Sequence, residues 1–178
     1  FTSPGAVADG GEMDSWDICL IADEPKRAKS ILFTSAYVEI EGTYLVSGSS
    51  PFQRVEDVDS VGTRIAVSNR AAYDLYLTRT LNNATLHRAE GLPGAFELYQ
   101  SGDFDALAGL RPALLENARL TDGDRVLEGC YTTIQQSLGT KLENTVGAVF
   151  LQNFVEDVTN SGFLAGLLEQ HDVVGKLQ

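Results

Sequence analysis

The chain has 178 residues, of which 43% are hydrophobic and 21% charged, and its formal net charge is -12 at pH 7. This composition predicts a globular protein that can bury a core, as one domain or as two small lobes. The acidic excess disfavours binding to nucleic acid or to an anionic membrane, because both need a basic face. No apolar run in the sequence approaches the roughly 18 residues that a membrane-spanning helix requires.

The cysteines and histidines do not predict a metal site. Cys19 and Cys130 lie far apart, His87 and His171 are the only histidines, and no spacing is typical of zinc ligands. We interpret both cysteines as free thiols, buried or half-buried, although a disulfide between them stays open. We expect no metal and no cofactor. The opening "FTSPGAVADGG" has neither the basic start nor the long apolar segment of a signal peptide.

The first predicted elements lie in residues 16–48. "WDICLIA" (16–22) is a short apolar run that predicts a buried strand. Asp23 as N-cap and Pro25 in the next turn predict a short helix to about Ser30. "YVEIEGTYLVSG" (37–48) alternates and is rich in β-branched and aromatic residues, which predicts extended chain, and "SGSSP" predicts a turn.

The middle of the chain alternates between strand and helix patterns. Strands are predicted at 63–68, 84–89 and 104–110 and in "DRVLEG" and "CYTTIQQSLG", and helices at 71–81, 94–102 and 112–120. This alternation predicts an α/β fold with a largely parallel sheet.

The last third predicts helices. One broad apolar stripe indicates a long amphipathic helix and is formed by Val146, Phe150, Leu151, Phe154, Val155 and Val158. Gly162 ends this helix, and "FLAGLLEQHD" predicts a second one.

Two strand-to-helix junctions carry cations and are the candidate binding regions, because ligands of open parallel sheets bind beyond the carboxyl ends of strands. In "IADEPKR", Arg27 is the candidate to hold a carboxylate, since a guanidinium grips it through two parallel hydrogen bonds. The alternative for Arg27 is a surface salt bridge with Asp23 or Glu24. Lys26 is expected to be solvated.

The second junction, "VSNRAAY", offers hydroxyl, amide and backbone donors from Ser68, Asn69 and Arg70 to an anion or a polar solute. The alternative is an N-cap by Ser68 or Asn69 and nothing more. Tyr73, one turn later, either stacks on a ligand or packs between lobes. The sequence contains no phosphate-binding loop, nucleophile elbow or zinc helix, so we do not expect an enzyme.

The stretch "GEMDSWDICLIADEPKRAKSILFTSAYVEIEGTYLV" resembles the core signature of family 3 extracellular solute-binding proteins. The family's Thr-x-x-Arg turn and "R-A-K" helix correspond to residues 24–29, and its Phe-(Ser/Thr)-x-x-Tyr motif to residues 33–37. "VEDVDSVGTRIAVSNRAAYDLYL" and "AFELYQSGDFDALAG" resemble segments of the family's second lobe. The departures are Glu24 for Thr, residues 70–72 for Gly-Thr-Thr, and residues 109–111 where the family places an Asp for the ligand's amino group.

The resemblance implies an α/β fold of the two-lobed, periplasmic-binding-protein-like type 2. Lobe one would comprise residues 1–45 and 137–178, lobe two residues 46–136, and the hinge strands would lie near 43–48 and 132–138. Lobe one would be incomplete at its N-terminus, because family members begin with a strand, a helix and a second strand that have no counterpart in this sequence.

The resemblance also implies a function. The two lobes would capture a small polar, carboxylate-bearing molecule, amino-acid-like or an organic acid, for uptake by the membrane subunits of an ABC transporter, in the periplasm or outside the cell. The implied ligand-binding residues are Ala22, Glu24, Arg27, Ser68, Asn69, Arg70, Ala71, Tyr73 and Gly109. The alternatives are a truncated relative that acts as a dimeric interaction module through the incomplete lobe, or a dehydratase-like enzyme in which Glu24 is the only clear acid.

Overall fold

The computed structural model describes residues 1–171, which form six α-helices and eight β-strands. The elements are α1 Pro4–Glu12, β1 Ile18–Ala22, β2 Ile31–Phe33, β3 Val38–Val46, β4 Arg64–Ser68, α2 Ala72–Thr80, β5 Thr85–Ala89, α3 Gly91–Gln100, β6 Ala106–Leu110, α4 Arg111–Arg119, β7 Arg125–Val126, β8 Thr132–Lys141, α5 Thr145–Asn160 and α6 Phe163–Gln170. Most predicted elements are therefore confirmed, although "DRVLEG" contributes only the two-residue β7.

The chain forms two compact units. Unit 1 contains Phe1, Ser3–Ile40 and the residues from Ile134 onward, and unit 2 contains Thr2 and Glu41–Thr133. The chain therefore passes from one unit to the other within β3 and again within β8. The lobe boundaries and hinge strands inferred from the resemblance stay predictions.

In unit 1, strand β8 is flanked by β1 and β2, both antiparallel to it. Cys19 of β1 and Phe33 of β2 both lie opposite Gly139, so the two strands occupy opposite edges of β8. Buried Cys19 and Ile21 pack on one face of these strands, with α1 and Trp16 against them. Burial of this apolar surface holds α1 on the sheet.

Helix α1 was not predicted, because its glycines lower helix propensity. The hydroxyl of Ser3 caps the helix by accepting a hydrogen bond from the Ala6 amide at 3.2 Å. The Trp16 indole donates to the Val7 carbonyl at 2.8 Å. A Cβ on Gly10 or Gly11 would come within 2.9 Å of Trp16, so both glycines are needed for this close approach.

Helix α5 packs through only part of its apolar stripe. Leu151 and Val155 are buried against Leu138 of β8. Phe150 and Phe154, which belong to the same predicted stripe, are 67% and 48% exposed. The helix is confirmed, but burial of the whole stripe is not, because the described part of unit 1 packs against one side of α5.

Unit 2 contains the parallel strands. Strand β4 lies between β5 and β6 and is parallel to both, and the crossovers run through α2 and α3. Strand β3 is antiparallel to β6 and β7. A largely parallel sheet is therefore wrong for the described residues outside β4, β5 and β6, since only these strands are joined by crossover helices.

The predicted helix from Asp23 to about Ser30 is also wrong. The structure has a single 3-10 turn over Arg27–Lys29. The Arg27 amide bonds to the Glu24 carbonyl and the Ser30 amide to the Arg27 carbonyl, each three residues back, which is the tighter 3-10 pattern.

Candidate functional site

The junction after β1 is built around a buried guanidinium. Arg27 is 4% exposed, and its Nη1 donates to the Ala22 carbonyl at the end of β1, at 2.9 Å. The Arg27 amide donates to the Glu24 carbonyl at 2.8 Å. Arg27 is therefore not a solvated surface cation, whereas Lys26 is exposed as predicted. The strand end presents a positive charge that is largely removed from water.

Two neighbouring carboxyl groups accompany this charge. Glu24 is 3% exposed and accepts a hydrogen bond from the Lys26 amide at 2.8 Å. Partial burial, and then the charge of Glu24, raise the pKa of Asp23 above its ordinary value. The structure thus places the predicted residues Ala22, Glu24 and Arg27 together in one short turn of unit 1.

The junction after β4 gathers the second predicted group. Ser68 is fully buried at the end of β4. The Asn69 side chain donates to Glu90 at 2.7 Å, and Arg70 has a φ of +58°, in the left-handed region. Neither Ser68 nor Asn69 caps α2, so the predicted cap is wrong; the N-cap residue is Ala71, which has no capping side chain.

The sequence reasoning missed Asp74, which organises this junction. Asp74 is 2% exposed, and it accepts hydrogen bonds from the Arg70 amide at 2.8 Å and from Nε of Arg88 at 3.0 Å. Nη2 of Arg88 also donates to Thr78 at 2.8 Å. A signal was present, because an acidic residue in the first turn of a helix can satisfy an amide before the helix.

Tyr73 and Gly109 lie at the same end of the parallel strands. Tyr73 is buried, which raises its pKa, while the nearby Ser68 hydroxyl opposes that rise. Ala66 of β4 pairs with Leu107 of β6. Because these strands are parallel, Ser68 and Gly109, each two residues further along its strand, also lie side by side. A Cβ on Gly109 would come within 2.9 Å of Leu114, which gives this glycine a packing role independent of any ligand.

A separate cavity of about 250 Å³ lies in unit 2. Its walls include Tyr44, Tyr76, Tyr131 and Cys130. The rings of Tyr44 and Tyr131 are 4.7 Å apart, and those of Tyr76 and Tyr131 are stacked at 6.0 Å. None of the predicted ligand-binding residues lines this cavity, so it is not the predicted site.

The cysteines are free, as interpreted, with Cys19 buried and Cys130 half-buried. Burial raises the pKa of Cys19 to about 11, and a hydrogen bond with the Gly139 backbone and then the charge of Arg27 partly oppose this rise. Among residues 1–171, no group of three or more His, Cys, Asp or Glu side chains is placed to hold a metal ion. No helix in that range is both long and apolar enough to cross a membrane.

The chain matches no protein-family model and no curated protein sequence. Solved structures do match it over nearly its whole length. ArgBP from T. maritima is 18% identical with a TM-score of 0.80, over 96% of this chain and 74% of that one. The fold is therefore the two-lobed periplasmic-binding-protein fold. The predicted resemblance is thus confirmed for the fold.

Two further neighbours have the same fold. The GluR0 ligand-binding core, solved with L-glutamate, is 22% identical with a TM-score of 0.80, over 96% of this chain and 78% of that one. The ancestral amino acid-binding protein AncCDT-1, described as a precursor of cyclohexadienyl dehydratase, is 20% identical with a TM-score of 0.80, over 96% and 74%. The chain thus spans about three quarters of the length of these neighbours.

Proposed function

We propose that this chain is a solute-binding protein for a small polar molecule that carries a carboxylate, amino-acid-like or an organic acid. The observation that supports it best is the buried guanidinium of Arg27 at the carboxyl end of β1, in a fold whose solved neighbours are amino-acid-binding proteins. Because fold alone does not decide function, the proposal depends on this group.

Arg27 is proposed to bind the ligand carboxylate. Its contact with the Ala22 carbonyl fixes the guanidinium at the strand end, so a ligand would meet an already oriented donor. Burial strengthens the attraction, because the charge is poorly screened by water. Ala22 and Glu24 are proposed to shape the turn that holds Arg27.

Residues 68–73 and Gly109 are proposed as a polar binding surface within unit 2. The Ser68 hydroxyl is buried beside the Tyr73 side chain, and it is proposed to offer a polar contact to a ligand. The left-handed Arg70 turns the backbone into α2 and sets the direction of the following amides. Asn69, Ala71 and Tyr73 complete this proposed surface.

The proposed role is uptake by an ABC transporter, with the protein in the periplasm or outside the cell. An enzymatic role is not proposed. Glu24, the acid that a dehydratase-like mechanism would use, is buried and already accepts a hydrogen bond from Lys26. A general acid or base must instead reach the reacting group of a substrate.

A thermal-shift screen tests the proposal. Amino acids and small organic acids, including glycine, glutamate, arginine and succinate, are added at millimolar concentration. A ligand at 100 times its Kd should raise Tm by about 5–10 °C. If no compound in the panel shifts Tm, and calorimetry detects no binding, the proposal is wrong.

Two variants then test whether binding depends on the positive charge of Arg27 or on the planar geometry of its guanidinium. Arg27→Lys keeps the positive charge but loses the planar fork, and it should weaken carboxylate binding by about tenfold or more. Lys26→Ala, on the adjacent exposed side chain, is the matched control and should bind normally. If wild type and Arg27→Lys bind a ligand equally well, Arg27 does not bind the ligand carboxylate as proposed.

A further inference from the structure

A cavity of unit 2 lies apart from the residues proposed to bind a carboxylate. We call it the tyrosine cavity, because Tyr44, Tyr76 and Tyr131 are in its wall. Its volume is about 250 Å³, and its lining residues all belong to unit 2. Liquid water occupies about 30 Å³ per molecule, so this space corresponds to roughly eight waters, or to a compact molecule of about seven to ten non-hydrogen atoms. The cavity can therefore hold a small ligand.

The wall of the tyrosine cavity carries negative charge. Asp59 and Glu56 both line it, whereas none of the described residues in the wall is Lys, Arg or His. Burial raises the pKa of Tyr44, and the charge of Asp59 raises it further, so this charge reaches the aromatic wall. The chain as a whole is also acidic, with a formal net charge of -12 at pH 7. A cation is therefore attracted to the cavity, and an anion is repelled.

Asp59 supplies this charge, but its oxygens are largely occupied. Oδ1 accepts from the amides of Asn83 at 2.8 Å and Ala84 at 2.9 Å, and Oδ2 accepts from the Asn82 amide at 3.0 Å. Desolvation alone would raise the pKa of Asp59, but these bonds lower it, so the side chain is ionised at neutral pH. A primary ammonium needs acceptors for its three donors, whereas a fully methylated ammonium needs only the negative field. The wall therefore favours the methylated group.

The aromatic part of the wall favours the same group. The ring centroids of Tyr44 and Tyr131 are 4.7 Å apart, and Tyr76 stacks on Tyr131 at 6.0 Å, so the three rings form one cluster. Aromatic ring faces are negative and attract quaternary ammonium ions, which several rings can bind together. Buried Val55 and Leu77 also line the cavity and offer apolar contacts to the methyl groups of such a ligand.

We propose that the tyrosine cavity is a second ligand site, which binds a small organic cation with a methylated ammonium group. The cation lies against the tyrosine cluster, and Asp59 and Glu56 balance its charge. The site needs no carboxylate on its ligand and no contribution from Arg27. It is therefore independent of the proposed solute site, and either site can be disproved without affecting the other.

Two probes of equal shape test the role of charge. Choline carries a trimethylammonium group, and its neutral analogue has a tert-butyl group in that place. Titration calorimetry on the whole chain should give a Kd for choline of about 1 mM or tighter, and the neutral analogue should bind at least about tenfold more weakly. If choline does not bind at millimolar concentration, or if the neutral analogue binds as tightly, the proposal is wrong.

Variants of two lining residues test the rings and the charge separately. Tyr76→Phe keeps the aromatic face and should bind choline within about threefold of wild type, whereas Tyr76→Leu loses the face and should bind about fivefold more weakly or worse. Glu56→Gln removes one charge and should weaken binding by about threefold, and Glu97→Gln, at an exposed acid of α3, is its matched control. Because Glu56 is exposed, its variant is informative even if Tyr76→Leu does not fold. Wild-type affinity in folded Tyr76→Leu or in Glu56→Gln would overturn the proposal.

Cys130 reports where the cation binds. This residue lines the tyrosine cavity, and its thiol is free and half-buried. In a Cys19→Ala background, saturating choline should slow the reaction of Cys130 with iodoacetamide by at least about threefold, because a bound ligand restricts access to the thiol. Sodium chloride at the same concentration is the control for ionic strength and should leave the rate unchanged. Choline binding without protection of Cys130 would place the cation elsewhere and would overturn the proposal.

Discussion

The junctions after β1 and after β4 each satisfy a backbone group with one buried charged side chain, and the two side chains carry opposite charges. After β1, the buried cation Arg27 binds a backbone carbonyl at the strand end. After β4, the buried anion Asp74 binds a backbone amide at Arg70, and Arg88 compensates its charge. Each junction thus uses one buried side chain to satisfy a backbone group that the turn leaves without a regular partner.

The difference indicates which junction is suited to an anionic ligand. The Arg27 guanidinium in unit 1 is the group that we propose for a ligand carboxylate, whereas the Asp74 carboxylate in unit 2 is already paired with Arg88. The comparison predicts that Asp74 acts on stability and Arg27 on both stability and binding.

The largest expected effect is that of Asp74→Ala. The substitution leaves the Arg70 amide without its partner and removes the anion that Arg88 binds, and it should lower the free energy of unfolding by about 3–4 kcal/mol. Urea unfolding measures this loss. Glu97→Ala, at an exposed carboxylate of α3, is the control and should change stability by less than about 0.5 kcal/mol. A similar small loss for Asp74→Ala would contradict a central role.

Arg27→Ala should have the next largest effect. It removes the hydrogen bond to the Ala22 carbonyl and leaves a cavity in the turn, which should cost about 2–3 kcal/mol in urea unfolding. Lys26→Ala should be close to neutral because that side chain is exposed. If the two variants lose equal stability, the burial of Arg27 does not organise the junction.

The order of strands and helices could largely be predicted from the sequence, because it depends on local periodicity. The segments 63–68, 71–81 and 84–89 became β4, α2 and β5 with shifts of one residue at their ends. Helix α1 could not be predicted in this way. It depends on the packing of Trp16 against Gly10, a tertiary contact that no local pattern records.

The candidate site was predictable only in part. Arg27 stood out because a cation follows an apolar strand, but its burial depends on the fold of the turn. Asp74 looked like an ordinary helix-surface acid, since its partner Arg88 lies on the next strand. The stripe on α5 was predictable as a pattern, whereas the exposure of Phe150 depends on which neighbouring elements are packed there.

Asp59 tests whether carboxylate capping is general in unit 2. Desolvation alone would raise its pKa, but hydrogen bonds from the amides of Ala84, Asn82 and Asn83 lower it below the ordinary value. A lowered folded-state pKa stabilises the protein above the unfolded value near 4, and this contribution is lost as the pH falls through the folded pKa.

Asp59→Asn should therefore cost about 1–3 kcal/mol at pH 7, and the difference from wild type should shrink as the pH falls below about 4. Urea unfolding at pH 7, 4 and 3 measures it. If the difference in the free energy of unfolding does not change with pH, the negative charge of Asp59 does not contribute to stability. Glu56→Gln, at an exposed acid nearby, provides the matched control.

The smallest effect concerns Cys19, which reports on the charge of Arg27. Burial raises the pKa of this thiol to about 11, and the positive charge of Arg27 opposes the rise, so Arg27→Gln should raise it further. The absorbance difference between the Cys130→Ser variant and the Cys19→Ala/Cys130→Ser variant follows this titration, because the subtraction removes the overlapping tyrosinate band. Because the folded state favours the neutral thiol, its stabilising contribution is full below the unfolded pKa near 9 and is lost as the pH rises toward 11. The wild type should lose more stability between pH 8 and 10 than Cys19→Ala does. A thiol pKa that is the same with and without the guanidinium would show that the positive charge does not reach β1, and the contrast between the two junctions would then rest on hydrogen bonding alone.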